Sequence, residues 1–167
     1  MYIGRYENKI DSKGRLSIPA DFRRILEEND PKWEPGTNAH LFIVFGDERR
    51  DYLEIFSVND FRDVHRQIQA KDQNSREQVA LQRLFAHQVQ PAQLDETGRV
   101  VLNSYLRTKI GLTDKALVLG NSGTFMIWEP ETYSRNDMKG LPPDDNFDES
   151  VDPATYLKGK PLDREFG

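Results

Sequence analysis

The sequence has no cysteine among its 167 residues. This absence excludes disulfide bonds, thiolate zinc sites and cysteine nucleophiles. Long apolar runs are also missing, since no stretch approaches the ~20 residues that a membrane-spanning helix needs. The N-terminal residues lack the apolar core of a secretion signal, so we expect a cytoplasmic protein with no membrane partner. This length predicts one ordinary domain with a buried core.

Catalytic and ligand-binding motifs are scarce. The sequence contains no Walker-type phosphate loop and no dinucleotide glycine fingerprint. The histidines lie in unrelated segments without the spacing of metal ligands; they are His40, His65 and His87. Ser122 lies in the stretch Gly120–Gly123, which predicts a tight hairpin turn and not a nucleophile elbow. We therefore expect no enzymatic activity, no metal, no cofactor and no small-molecule ligand.

Charge is distributed unevenly along the chain. The net charge of −5 argues at first against a nucleic-acid partner. Residues 1–24, however, hold six Lys and Arg against three acids, whereas residues 140–167 hold seven acids against three bases. A basic start can present a local positive face despite a negative total. Apolar anchors are few beyond residue 136, which predicts a flexible, acidic tail over 136–167.

The chain contains an internal repeat. Residues 11–23 align without gaps on residues 95–107, and an Asp, a Gly and two Arg recur at an offset of 84. Later apolar stretches also correspond between the copies: 42–46 with 116–120, and 53–56 with 125–128. Because each copy alone is too small to bury a good core, the repeat predicts one pseudo-symmetric domain.

Each copy predicts a turn followed by a strand and a helix. The Asp and Gly of the repeat fit a type I turn, in which the carboxylate accepts hydrogen bonds from nearby backbone N–H groups. These turn residues are Asp11, Gly14, Asp95 and Gly98. The strand that follows alternates, so its apolar residues face the core and the arginine of the motif faces solvent.

Capping residues predict where the helices begin. Pro19 fits the first turn of the helix in the first copy, and Asn103 can cap the equivalent helix in the second. Between the copies, one helix is predicted to start after Asn59 and another at Ser75, where Gln78 would complete a capping box. We expect these two helices to pack on the duplicated sheets or on a neighbouring subunit.

The duplicated Asp-x-x-Gly-Arg element, with Met1–Tyr6 before it and Ile18–Arg23 after it, resembles the MraZ family of bacterial transcriptional regulators. The resemblance covers about residues 1–135. One such element is a weak signal, whereas two copies in the right order are specific. The resemblance implies an α+β fold with a duplicated swapped-hairpin, SpoVT/AbrB-like core. That core would be β-barrel-like, with short helices between and around the copies.

The resemblance also implies an organisation and partners. The chain would divide into a first repeat, linking helices, a second repeat and a tail, at 5–58, 59–88, 89–132 and 136–167. The family's members form rings, commonly of about eight subunits, with closed symmetry. They bind tandem promoter repeats upstream of their own operon, at the head of the division and cell-wall gene cluster. The implied partners are therefore DNA and further copies of the chain, in the bacterial cytoplasm and at the nucleoid.

Arg15 and Arg99 are the expected DNA-binding residues, because the family's Asp-x-x-x-Arg signature carries over at both positions. The planar fork of arginine can bond phosphates or guanine edges with two hydrogen bonds. Arg5, Lys9 and Lys13 are expected to cluster around the first turn and to contact phosphates. The alternative for the two motif arginines is an exposed ion pair with the neighbouring aspartate, worth ~0–1 kcal/mol.

Two further questions stay open at this point. Arg23 and Arg107 flank apolar helix faces, where a structural role and a DNA-binding role are equally consistent with the pattern. The function also has alternatives: a structural assembly or protein-interaction module without specific DNA binding, and an antitoxin-type regulator on the same fold. The acidic tail is the feature that keeps both alternatives open.

Overall fold

The computed structural model of the protein describes residues 1–136 and 141–157. This part of the chain forms the following strands: β1 (Arg5–Lys9), β2 (Arg15–Ser17), β3 (His40–Val44), β4 (Leu53–Phe56), β5 (Val89–Gln93), β6 (Arg99–Val101), β7 (Lys115–Asn121) and β8 (Thr124–Trp128). Its α-helices are α1 (Ala20–Glu28), α2 (Val58–Gln69), α3 (Arg76–Gln82), α4 (Ser104–Ile110) and α5 (Pro130–Arg135). The mixture of an antiparallel sheet with helices confirms the predicted α+β class.

The order of elements is the same in the two halves of the chain. The first half runs β1-β2-α1-β3-β4 and the second runs β5-β6-α4-β7-β8. Between them lie α2, α3 and a π-helical turn, Arg83–His87, that continues α3. The repeated order is what an internal sequence repeat leads one to expect.

Strands of one half pair with strands of the other half. A six-stranded antiparallel sheet has the order β1-β7-β8-β4-β3-β5, and β2 pairs with β6 in a separate two-stranded ribbon. Four ladders join one half to the other: β1 with β7, β2 with β6, β3 with β5, and β4 with β8. Because the ribbon takes one strand from each half, it cannot form from either half alone.

The main core is built from both halves. Leu16 of β2 and Val100 of β6 are fully buried beneath the ribbon and face residues of α1, α4 and the sheet. In α1, Phe22 packs edge-on against Tyr2 at 5.3 Å and lies 5.1 Å from Phe125 of β8, measured between ring centroids. Each such buried aromatic side chain stabilises the fold by ~1.5–3 kcal/mol. The ribbon is therefore anchored from below by the apolar residues that the alternation predicted.

A second apolar cluster attaches the linking helices to the sheet, as expected. Phe61 of α2 stacks on Phe42 of β3 with 4.1 Å between ring centroids. The helix begins earlier than predicted, at Val58, because the Oγ of Ser57 accepts a hydrogen bond from the N–H of Asp60 and caps it. Serine and asparagine both fit the cap position, so the sequence does not decide between Ser57 and Asn59.

The predicted start of α3 is correct but its capping box is incomplete. Ser75 Oγ accepts a hydrogen bond from the N–H of Gln78. The Gln78 side chain, however, accepts from the N–H of Asn74 at 2.7 Å and not from that of Ser75. The N–H of Ser75 donates instead to the carbonyl oxygen of Asp72 at 3.0 Å, so it is not free to complete the box.

Three other local predictions can be compared with the structure. Asn103 Oδ1 accepts from the N–H of Leu106 at 2.9 Å and caps α4, as predicted. Pro19 is the residue before α1 and not part of its first turn. Ser122 lies in the two-residue turn between β7 and β8, which confirms the predicted hairpin.

The described part of the acidic tail makes local contacts. The Phe147 and Tyr156 rings stack at 5.5 Å, and the N–H of Asp148 donates to the Tyr156 hydroxyl at 2.7 Å. Residues 137–140 and 158–167 of the predicted tail lie outside the described residues. Within 1–136 and 141–157, no helix is both long enough and apolar enough to cross a membrane.

Candidate nucleic-acid interface

The first turn holds Arg15 through a single carboxylate. Asp11 Oδ1 accepts hydrogen bonds from the N–H groups of Lys13 (3.0 Å) and Arg15 (2.9 Å), and its Oδ2 accepts from Arg15 Nε at 2.6 Å. Gly14 has a φ of +81°, and a Cβ there would overlap the carbonyl oxygen of Leu102. Glycine is therefore required at this position for two reasons, its backbone conformation and the close approach of β6's end.

The second turn repeats this geometry. Asp95 Oδ1 accepts from the N–H groups of Thr97 and Arg99, both at 2.9 Å, and its Oδ2 accepts from Arg99 Nε at 3.0 Å. Gly98 has a φ of +76°, and a Cβ there would overlap the guanidinium of Arg23. In both turns the arginine is held by Nε, and its Nη1 and Nη2 make no hydrogen bond with a described residue.

Both turn aspartates stay ionised at neutral pH. The hydrogen bond from the Arg15 N–H lowers the pKa of Asp11 below its ordinary value, and the Arg15 side chain adds to this effect. Partial removal from water would raise the pKa of Asp95, but hydrogen bonds from Arg99 and Thr97 outweigh it and hold that pKa at about 2. The carboxylates are thus permanent acceptors that orient the arginines.

The ribbon brings both motif arginines onto one exposed surface. Arg15 lies opposite Val101, and Ser17 lies opposite Arg99. Since opposed residues share a face, these four side chains point to solvent while the middle residues of both strands are buried. Arg15 and Arg99 are diagonal neighbours on this surface, with backbones ~7–8 Å apart. Their side chains remain 35% and 31% exposed. We call Arg15, Ser17, Arg99 and Val101 the ribbon face.

The structure brings some of the predicted cations to the first turn and not others. Lys13 is exposed in the turn itself, and Lys9 lies at the end of β1 that enters it. Arg5 lies at the far end of β1, ~13 Å along the strand, where its guanidinium stacks on the Tyr133 ring. Sequence reasoning missed Lys115, which is exposed on β7 directly opposite Lys9. Nothing local marks Lys115, because only the pairing between halves brings it there.

The second turn lacks this positive charge. The structurally equivalent positions of the three lysines carry Gln93, Thr97 and His40, as the matching ladders show. The three lysines and the nearby Asp114 sum to a charge of +2. At the second turn Glu96 is negative and Arg23, which lies against Gly98, is positive, so these two side chains cancel. The two turns share a geometry but differ in electrostatics.

Arg23 and Arg107 contact the turns and not the ribbon face. Arg23 of α1 lies against the second turn, with its Nη1 3.5 Å from the carbonyl oxygen of Thr97. Arg107 of α4 donates Nε to the carbonyl oxygen of Leu102 at 3.0 Å, and the N–H of Leu102 donates to the carbonyl of Gly14 at 2.7 Å. Of the two roles left open by the sequence, the structure favours the structural one.

No group of three or more His, Asp or Glu within 1–136 and 141–157 could hold a metal ion. A cavity of about 630 Å³ lies between the β3–β4 loop and the α3 region, away from the ribbon face. Its lining includes Arg49 and Arg50, which pair with Asp47 and Glu54. The ribbon face, in contrast, combines exposed side chains with arginine nitrogens that make no hydrogen bond to a described residue.

Comparison with known proteins agrees with this geometry. The profile of the family described as "MraZ protein, putative antitoxin-like" matches residues 1–84 and 84–139. The chain is 45% identical over 159 residues to the Transcriptional regulator MraZ of Ruegeria pomeroyi, with 95% of each chain covered. It is 43% identical over 159 residues to the protein of that name in Ruegeria sp., again with 95% of each chain covered. A relative in Cereibacter sphaeroides is 32% identical over 140 residues, which cover 80% of this chain and 82% of that protein. The resemblance carried by the duplicated motif is confirmed, and this chain belongs to the MraZ family.

Proposed function

We propose that the protein is a sequence-specific DNA-binding transcriptional regulator that inserts the β2–β6 ribbon into the major groove. The observation that carries this proposal is the ribbon face. Its two arginines are diagonal neighbours, and their terminal nitrogens make no hydrogen bond with a described residue. A two-stranded ribbon fits the major groove, and an arginine bonded to O6 and N7 of guanine is the commonest specific contact there. The name of the relatives, Transcriptional regulator MraZ, supports the same conclusion.

The turn aspartates make this contact stronger. Each one holds its arginine by Nε, so Nη1 and Nη2 form the edge that faces outward. An arginine that is already oriented loses less side-chain entropy on binding than a free one does. Asp11 and Asp95 are therefore positioning residues, and Arg15 and Arg99 are the reading residues.

Phosphate contacts are the proposed role of the lysines around the first turn. Lys9, Lys13 and Lys115 are exposed on the side of the molecule where the ribbon begins. Such contacts fix the register of a protein on the duplex without reading its sequence. Arg5 is left out of this set because it stacks on Tyr133.

The fold and assembly complete the proposal. Exchange of strands between the halves supports a duplicated swapped-hairpin, SpoVT/AbrB-like core, and the repeated element order supports repeats at 5–58 and 89–132 with linking helices at 59–88. The acidic tail is assigned to 136–167. One subunit offers few cationic contacts, whereas a ring of about eight binding tandem promoter repeats would gain ~10²–10⁴ in avidity. Its proposed target lies upstream of its own operon, in the division and cell-wall gene cluster, which places it at the nucleoid.

Binding to the DNA immediately upstream of the protein's own gene tests this function. We expect tight binding to that duplex and much weaker binding to a shuffled one, measured at several salt concentrations. Arg15→Ala should weaken specific binding by about 10- to 100-fold, the value of one good bidentate base contact. Arg24→Ala is the matched control, because Arg24 is an exposed arginine of α1 that pairs with Asp21. Equal, weak binding to both duplexes would replace this proposal with the assembly-module alternative.

A further inference from the structure

Val101 is the exposed apolar side chain of the ribbon face. It is 50% exposed and lies directly opposite Arg15. Isolated exposed valines are common on protein surfaces. Val101, however, lies next to both Arg15 and Arg99, whose terminal nitrogens make no hydrogen bond with a described residue. The equivalent position in the first half is Ser17, so the two halves present different chemistry at the same place.

We propose that Val101 contacts the 5-methyl group of a thymine in the major groove, and that the two halves of the ribbon read different bases. The proposal rests on the proposed function, since it requires the ribbon to lie in the groove. Thymine is the only base that presents a methyl group at the major-groove edge; the other edges present N–H, N or O. A valine, which has no donor or acceptor, would leave those polar groups unpaired and desolvated. It therefore selects for thymine.

The register of the ribbon limits where this thymine lies. Opposed residues of an antiparallel pair have Cβ atoms ~4.5–5.5 Å apart. Successive base pairs are separated by about 3.4 Å. A thymine read by Val101 should therefore lie within about two base pairs of the guanine read by Arg15. In the other opposed pair, Arg99 lies opposite Ser17, whose hydroxyl can donate or accept and so tolerates more than one base.

The flanking charges favour DNA over an apolar protein surface as the occupant. A protein covering Val101 with apolar side chains would desolvate the guanidinium groups of Arg15 and Arg99 without giving their terminal nitrogens a partner. The major groove supplies acceptors for both arginines beside the methyl group. The major groove can therefore bond both arginines and contact Val101 at the same time.

Replacing single thymines by deoxyuridine tests the contact, because this change removes only the methyl group. We would measure binding of the full-length protein to the duplex from upstream of its gene, with each thymine replaced in turn. One thymine in each repeat should show about fourfold weaker binding as uracil, the value of one buried methyl group. Val101→Ser should bind the native duplex about fourfold more weakly and should no longer distinguish thymine from uracil at that position. Val101→Ala should show the same loss, and both variants should keep the circular dichroism spectrum of the wild type.

Val151→Ser is the matched control, because Val151 is an exposed valine outside the ribbon face, and this variant should keep the full sensitivity to uracil. If the wild type prefers the native duplex to the shuffled one but no thymine is sensitive, the proposal for Val101 is wrong and the proposed function stands. Sensitivity that persists in Val101→Ser would also overturn it. A wild type that does not distinguish the native from the shuffled duplex overturns both.

Discussion

Asp95 has two roles in one side chain, since it closes the second turn and holds Arg99. Its Oδ1 receives two backbone hydrogen bonds and its Oδ2 receives the arginine Nε. These bonds all require the ionised carboxylate, which is why the pKa of Asp95 lies at about 2 and not at the ordinary 3.8. The turn that orients a reading residue is therefore also a pH-dependent source of stability.

Replacement of Asp95 by Asn should remove this pH-dependent stability. Because the folded pKa is below the unfolded one, the contribution is complete above pH 3.8 and is lost as the pH falls to about 2. The carboxylate is 32% exposed, so screening reduces its contribution to about 1 kcal/mol. Urea unfolding of wild type and variant should therefore differ by about that amount at neutral pH and converge near pH 2.

Glu96→Gln is the control for this change. Glu96 is a carboxylate of the same turn that accepts no hydrogen bond from a described residue, so its replacement should not alter how stability depends on pH in this window. A difference between wild type and Asp95→Asn that stays constant down to pH 2 would contradict the assigned role of Asp95.

At the scale of elements, each of the two equivalent helices supports a turn that depends on the other half. Arg23 of α1 lies against Gly98 in the second half, and Arg107 of α4 lies against Gly14 in the first. The turns also bond across the halves, through Leu102 N–H to the Gly14 carbonyl and Ile18 N–H to the Gly98 carbonyl. Disturbing one half should therefore be felt in the turn of the other.

We expect Arg107→Ala to loosen the first turn and Arg23→Ala to loosen the second. Loss of the Arg107 hydrogen bond should cost about 1 kcal/mol and raise amide hydrogen exchange at Leu102 about fivefold, without affecting Ile18. Arg23→Ala should do the reverse. Affinity for specific DNA should fall in Arg107→Ala even though this side chain does not lie on the ribbon face. Exchange that rises equally at both amides in either variant would show general destabilisation and not support of one turn.

The contrast between local and cross-half contacts explains what the sequence could predict. The backbone hydrogen bonds to the Asp11 and Asp95 carboxylates, the Asn103 cap and the hairpin at Ser122 depend on residues within four positions of each other, and the structure agrees with them. The position of Lys115 beside Lys9 could not be predicted in this way. It depends on a ladder between strands more than a hundred residues apart, and nothing in either strand specifies its partner.

The clustering expected for Arg5 was wrong for a related reason. Its distance from the turn along the sequence is short, but the intervening residues are extended in β1 and carry it ~13 Å away. Side-chain chemistry therefore indicated which residues to propose as DNA contacts, whereas the pairing of strands between the halves decided which of them lie together.

At the scale of the whole molecule, the charge that matters is local. The chain has a net charge of −5, yet three lysines surround the first turn and the equivalent positions of the second turn carry none. Approach to DNA should therefore be led by the first turn, since its positive charge attracts the duplex. In the proposed ring, every subunit presents its first turn in the same way, so the number of lysines available to the DNA rises with the number of subunits.

Lys115 gives the sharpest test of this arrangement, because its effects on stability and on binding have opposite signs. It lies directly opposite Lys9 in the β1–β7 ladder, where two like charges destabilise the sheet. Lys115→Gln should therefore be as stable as the wild type or more so by a few tenths of a kcal/mol. The same variant should bind DNA more weakly, and the slope of log affinity against log salt should become shallower by ~0.9 for each subunit engaged.

Lys71→Gln, which changes an exposed lysine paired with Glu77 in the linking region, should leave that slope unchanged. Gln93→Lys should steepen it by a similar amount, because it places a cation at the equivalent position of the second turn. If Lys115→Gln leaves the slope unchanged, the lysine does not contact phosphate. If the variant weakens binding by destabilising the fold, urea unfolding will show a lower free energy of unfolding than that of the wild type, where an equal or higher one is expected. A variant that is more stable but binds DNA less tightly would identify the lysines around the first turn as a binding surface. Selection for stability alone would not place Lys9 and Lys115 opposite each other.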